Sequence, residues 1–139
     1  MKKQFKLGVI GGGFMAQAIL KGAILSDFLR ARKVLVADVS QKALDSLEYL
    51  DVNTTTDCRD VAENCEYVLF AVKPQNFLDV AKSLHGIPVE KVISIMAGVK
   101  KDKIRDALFG SGIRIESPSS LIEKVRSYAR ELVSLYEGN

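Results

Sequence analysis

Three consecutive glycines, Gly11, Gly12 and Gly13, stand between an apolar run, Phe5 to Ile10, and a second one that begins at Phe14. Glycine gives up more backbone freedom on folding than any other residue and packs nothing. A phosphate supplies a reason for placing it there. The N-terminus of a helix presents unpaired N–H groups and the positive end of the helix dipole, and a side chain in the turn leading into it would hold a diphosphate away. Gly11, Gly13 and Ala16 fit the spacing G-x-G-x-x-A. Gly11 then permits the tight turn, Gly13 leaves room for the phosphate, and Ala16 lets the helix lie close to the strand. Gly12 is expected to direct its own N–H at the diphosphate, and Phe14 and Met15 fall in the first turn of the same helix. Asp38 ends the next apolar run, where a carboxylate accepts hydrogen bonds from the ribose hydroxyls of an adenosine. Its charge repels a 2′-phosphate and leans the site toward NAD rather than NADP, with Lys42 one helical turn on to temper that preference. The same residues fit a plain strand-to-helix turn with Asp38 as a helix N-cap. The strand, helix and second strand around them favour the dinucleotide.

Two later stretches carry the next layer. In LFAVKPQNF, Leu69 to Phe77, a strand ends at Ala71 and Val72, and Lys73 and Pro74 make a sharp exit. Proline biases Lys73 away from helix, which holds its ammonium over the crevice where a nicotinamide ribose would lie. In VISIMAGV, Val92 to Val99, the small pair Ala97 and Gly98 ends another strand where a flat ring could approach. A surface lysine before a helix-starting proline, and an ordinary strand-to-loop turn, are the plainer accounts of these two stretches.

The remaining chemistry-bearing residues exclude more than they suggest. Cys58 and Cys65 lack zinc-ligand partners at the right spacing, and His85 is the only histidine, so no metal is expected and the cysteines read as buried or half-buried free thiols. The net charge is +3 and the pI about 8.9, with lysines and arginines scattered rather than in runs. That suits an anionic small molecule and gives no footprint for nucleic acid. The N-terminal apolar stretch is interrupted by Lys6 and the glycines, and nothing reaches membrane-spanning length. A cytoplasmic protein with no membrane or nucleic-acid partner is expected.

The elements that must position these residues alternate between short apolar runs and longer helical patterns. Strands are predicted over residues 5–10, 33–37, 67–72 and 91–96, with short ones over 51–56 and 113–116. Helices are predicted over 14–25, 40–50, 57–64, 74–84 and 101–108. Such alternation on short connections predicts an α/β, doubly wound parallel sheet with helices on both faces and a ligand crevice at the C-terminal strand ends. Residues 117–139 differ. Ser120 and Glu123 have capping-box spacing, and Leu121, Val125, Tyr128, Leu132 and Tyr136 recur at helical spacing. A single C-terminal amphipathic helix is expected after a nucleotide-binding domain over 1–116, packing either on its own sheet or between subunits.

GGGFMAQAI after a first strand, then AVKPQ, then SIMAGV, resembles the N-terminal dinucleotide-binding domain of the pyrroline-5-carboxylate reductase family over about residues 4–109. The resemblance implies a Rossmann-type fold and NAD(P)H-dependent reduction of a cyclic imine carboxylate to L-proline. It implies that Gly11, Gly13 and Ala16 bind the pyrophosphate, that Ala71, Val72, Lys73 and Pro74 border the nicotinamide, and that Ala97 and Gly98 lie close to the ring. No side-chain acid or base is needed, because the enzyme mainly has to place two carbons against each other; Lys73 is the one candidate catalytic side chain. The family usually has asparagine where Phe14 stands, and Arg114 to Ser120 lacks its Met-Pro-Asn core. The family's second, helical domain, which forms its dimer and most of its substrate pocket, is not recognisable; the C-terminal helix reads either as a remnant of it or as a substitute for it, the latter giving a homo-oligomer through that helix. A non-catalytic NAD(P)-binding module and a related small-substrate dehydrogenase are the alternatives.

Overall fold

A computed structural model describes residues 3–87, 89, 91–96 and 98–109. The strand expected at 113–116 and the helix expected in 117–139 lie outside the described residues. Five strands, β1 (Phe5–Ile10), β2 (Val34–Ala37), β3 (Asn53–Thr55), β4 (Cys65–Phe70) and β5 (Lys91–Ser94), form one sheet in the order β3-β2-β1-β4-β5. Every pairing is parallel. The helices are α1 (Phe14–Leu25), α2 (Gln41–Asp45), α3 (Cys58–Asn64), α4 (Phe77–Ser83) and α5 (Lys101–Phe109). This is the doubly wound, Rossmann-type arrangement. The chain runs outward from β1 through β2 to β3, then crosses back to β4 on β1's other side, so the strand order reverses between β1 and β4.

The strands are apolar on both faces because both faces are covered. Successive residues of β1 alternate: Leu7 and Val9 join the core under α1 and α2, whereas Ile10 joins the core under α3, α4 and α5. Val34 and Val36 against Leu35 and Ala37, and Leu69 against Val68 and Phe70, divide the same way. Phe70 meets Phe77 of α4 edge-on, with ring centroids 5.4 Å apart. Gly8 occupies the remaining inward position of β1. A Cβ there would lie 2.4 Å from Val61 Cγ1 and 2.5 Å from Cys65 Sγ, so α3 sits on β1 at a distance that only glycine permits. Cys65 is buried and Cys58 half-buried, both as free thiols, and burial pushes the Cys65 thiol up to about 12 despite the charge of Lys3.

Several element boundaries depart from the sequence expectation, β3 and β5 being shorter than expected and three others differing more in kind. β4 starts and stops two residues earlier, because its register is set by Phe5 opposite Cys65 and Ile10 opposite Phe70. Ala71 and Val72 therefore lie beyond the strand. The helix expected over 40–50 is α2 followed by a separate 3-10 turn, Glu48–Leu50. The Ser46 hydroxyl donates to the Ala43 carbonyl and Asp51 takes a left-handed conformation, φ 58°, which together end regular helix while Leu44, Leu47 and Leu50 stay buried. Pro74–Asn76 forms a 3-10 turn before α4.

At the N-terminal edge of the sheet, Glu66 bridges Lys6 and Lys91, at 3.2 Å each. Both ammonium groups also stand near the Tyr67 ring, 5.4 and 4.8 Å from its centroid. Partial burial pushes the Glu66 carboxyl up, but the hydrogen bonds and charges of the two lysines outweigh it and hold its pKa below 4.5. A lowered carboxylate contributes stability that is present above the unfolded value and lost as pH falls through the folded one. Glu66→Gln should therefore cost less than about 1 kcal/mol at neutral pH, the pair being partly exposed, and should reduce the loss of stability seen in urea unfolding below pH 4.5. Gly8→Ala should cost about 1–3 kcal/mol through overpacking, and Val61→Ala in the same chain should recover part of that loss in the same assay.

Candidate functional site

The C-terminal ends of β1, β2 and β4 meet at one edge. Three backbone hydrogen bonds extend the ladder one residue past the strands: Gly11 N–H to Ala37 O at 2.8 Å, Ala71 N–H to Ile10 O at 2.9 Å, and Asp38 N–H to Thr55 O at 3.1 Å. Above them opens a crevice of about 510 Å³. Its lining brings together Gly11, Gly13, Asp38, Ala71, Val72 and Lys73, all singled out from sequence.

Each glycine of the turn has a different neighbour. Gly11 has φ +111°, and a Cβ there would lie 2.8 Å from the carbonyl carbon and oxygen of Ala71. The turn after β1 and the exit of β4 thus touch backbone to backbone. Gly12 is buried, and its N–H donates to Asp38 Oδ2 at 2.8 Å. The N–H expected to face a diphosphate thus has a carboxylate partner in this structure. Gly13 is exposed, and among the described residues nothing lies within 4 Å of where its Cβ would be. It is also the N-cap of α1, with no side-chain cap and no acidic residue in the first helical turn. Ala16 is buried against the sheet, as the close approach of α1 requires. Phe14 and Met15 stand exposed, 61% and 43%, on the opening turn.

Asp38 is half-buried, and its second oxygen accepts the Ser40 N–H at 2.9 Å. The cap of α2 is Ser40, whose hydroxyl accepts the Ala43 N–H, so Asp38 is not a helix N-cap. Lys42 is exposed on α2. Lys73 is exposed and extended, φ −64° and ψ 141°, as its place before Pro74 dictates. Gly98 lies elsewhere. It lines a separate groove with Leu78, Lys100 and Asp102, so the structure does not bring it to the glycine turn. Ala97 lies outside the described residues. The crevice adds Val39, Thr56, Cys58, Asn76, Asp79 and Val80. Val39, Thr56 and Cys58 directly follow strand ends or open a helix, and looking one or two residues beyond each strand would have found them. Asn76, Asp79 and Val80 come from the 3-10 turn and α4, whose facing needs the three-dimensional fold.

The chain matches the model of the family described as NADP oxidoreductase, coenzyme F420-dependent, over residues 6–98. It belongs to this family, alongside the pyrroline-5-carboxylate reductases. The pyrroline-5-carboxylate reductase of Pasteurella multocida is 38% identical over 105 residues, covering 71% of this chain and 38% of that protein. That of Haemophilus influenzae is 30% identical over 146 aligned residues, covering 91% and 54%. Among solved structures, a pyrroline-5-carboxylate reductase from Coxiella burnetii superposes with a TM-score of 0.65 at 31% identity, covering 85% of this chain and 46% of that one. The chain spans 37–54% of the length of the curated relatives it matches. No helix among the described residues is long and apolar enough to cross a membrane.

The two outer glycines of the family turn should separate in stability measurements. Gly11→Ala forces a side chain into left-handed backbone and against Ala71, and should cost about 1–3 kcal/mol or more. Gly13→Ala should move the unfolding midpoint little, since its Cβ meets only open space.

Proposed function

We propose that this chain binds a nicotinamide dinucleotide in the crevice and serves the reduction of pyrroline-5-carboxylate, or a cyclic imine carboxylate of that class, to proline. The observation that carries the nucleotide half is the open side of Gly13 at the start of α1, beside a carboxylate at the end of β2. A cradle that a Cβ would enter, at a helix N-terminus and the sheet's switch point, suits a diphosphate. The substrate class is supported by the relatives, which bear the name pyrroline-5-carboxylate reductase.

In this assignment Gly11, Gly13 and the opening turn of α1 hold the diphosphate, with Ala16 keeping that turn close to the sheet. Asp38 accepts the adenosine ribose hydroxyls and disfavours a 2′-phosphate. Ala71, Val72, Lys73 and Pro74 border the nicotinamide end, with the Lys73 ammonium near its ribose. Ala97 and Gly98 are assigned to the ring side on their motif alone. When bound, the reduced nicotinamide supplies a hydride for the imine carbon, and the basic imine nitrogen takes a proton from water. The chain's own share is to orient both partners and exclude solvent between them. The sequence pattern supports a nucleotide unit over residues 1–116, with residues 117–139 a separate segment whose amphipathic pattern suits packing on that unit or on a second copy.

Calorimetric titration of the purified chain with NADH and NADPH tests the site. NADH should bind several-fold more tightly than NADPH, and Gly13→Val should weaken both by about tenfold or more, the loss of roughly one charge-assisted hydrogen bond. Affinity unaltered by Gly13→Val would remove the site from this turn. Tight binding without consumption of NADH in the presence of pyrroline-5-carboxylate would instead favour a binding module that does not turn over.

A further inference from the structure

The middle glycine is held from two sides. Its N–H donates to Asp38 Oδ2 at 2.8 Å, and its carbonyl accepts from Gln17 Nε2 at 3.3 Å. The same Gln17 amide donates to Ser46 Oγ at 2.8 Å, tying the turn to the end of α2. Asp38 is itself fixed, because its other oxygen accepts the Ser40 N–H at 2.9 Å. A Cβ on Gly12 would make ordinary van der Waals contact, 3.4 Å from Leu47 Cδ1 and 3.5 Å from Asp38 Oδ2, so what fixes this residue is its main-chain hydrogen bonds. A buried N–H left without an acceptor is costly, so this carboxylate contributes to the turn's shape with no nucleotide present. Carboxylate oxygens carry two lone pairs each, so both main-chain bonds can persist while ribose hydroxyls are accepted.

We propose that Asp38 is a positioning residue for the glycine turn, so that the adenosine-ribose half and the diphosphate half of the site are linked through Gly12. Its ligand consequences rest on the nucleotide assignment above; the hold on the turn does not. The link separates Asp38 from a simple ribose acceptor. A ligand that lacks adenosine, and never reaches Asp38, still depends on it through the turn that receives the phosphate.

Two variants and two ligands test this. Asp38→Ala removes both acceptors, whereas Asp38→Asn keeps one oxygen for one of the two N–H groups. In the ligand-free chain, amide hydrogen exchange at Gly12 should quicken about tenfold or more in Asp38→Ala and less in Asp38→Asn, with the Val9 and Leu69 amides of the sheet unchanged. Reduced nicotinamide mononucleotide, which has one phosphate and no adenosine, should bind Asp38→Ala several-fold more weakly than wild type, with partial recovery in Asp38→Asn. NADH should lose more than the mononucleotide does. Should Asp38→Ala fail to fold, Asp38→Asn carries the same comparison. Wild-type affinity for the mononucleotide alongside weakened NADH overturns the link and leaves Asp38 a ribose acceptor only. Unchanged Gly12 exchange overturns the hold on the turn. If neither ligand binds wild type, the nucleotide assignment fails and the Gly12 exchange still decides whether Asp38 positions the turn.

Discussion

The backbone contact between Gly11 and Ala71 governs the functional end of this molecule. β1 and β4 are parallel neighbours, so both leave the sheet through the same edge. Their continuations must diverge, because α1 covers one face and α4 the other. They first pass so closely that a Cβ on Gly11 would lie 2.8 Å from the Ala71 carbonyl. Only beyond that contact do the two chains separate and the crevice open. Its floor is therefore sheet backbone and buried side chains such as Ile10 and Ala37, while its walls are the turns themselves. Moving these two turns apart would disturb the ladder bonds of Gly11 and Ala71 together.

The charge at this edge is arranged unusually for an anion site. Among the crevice-lining residues Lys73 brings a positive charge, and Asp38 and Asp79 bring negative ones. Phe14 stands where a polar amide would offer a side-chain donor. For the diphosphate proposed above, attraction would come mainly from oriented main-chain N–H groups and the start of α1, which carries no opposing acid in its first turn. Such donors act at short range and only when aligned. A site that relies on them depends on the rigidity of its turn more than one built from flexible lysines would, and the bonds of Asp38, Gln17 and Ser40 around Gly12 supply that rigidity.

Much of this was readable from residue order, and the part that was not has a physical cause. α1 begins and ends where its periodicity places it, Phe14 to Leu25, because Gly13 precedes it and its apolar face is continuous. Asp57 caps α3 and Lys73 is extended before proline, both local effects carried by neighbouring residues. β4 was misplaced by two residues because an apolar run looks the same whether it is paired strand or half-buried crevice wall, and only the ends of β1 and β5 decide which. The partners of Gly12 were missed for a similar reason. Asp38 and Gln17 are each plausible surface residues in sequence, and only the folding of β2 beside β1 brings their side chains to one peptide unit. Gly98 shows another limit: its motif is legible in sequence, but its place past the end of β5, in a groove with Leu78, Lys100 and Asp102, comes only from the fold.

Small residues in this domain answer to different claimants. The side-chain space of Gly8 is taken by Val61 and Cys65, that of Gly11 by the Ala71 backbone, and that of Gly12 is bounded by Leu47 and Asp38. Gly8 and Gly11 are explained by the folded chain alone, whereas a Cβ on Gly12 would make only ordinary van der Waals contact. The space beside Gly13 is claimed by nothing among the described residues. Backbone strain does not explain it either, since its φ of −78° suits any residue. Gly13 is the N-cap of α1, a position where glycine is among the preferred residues, and its side-chain space opens beside the start of that helix. The motif's outer glycines therefore divide: Gly11 is required by both conformation and packing among the described residues, and Gly13 by neither.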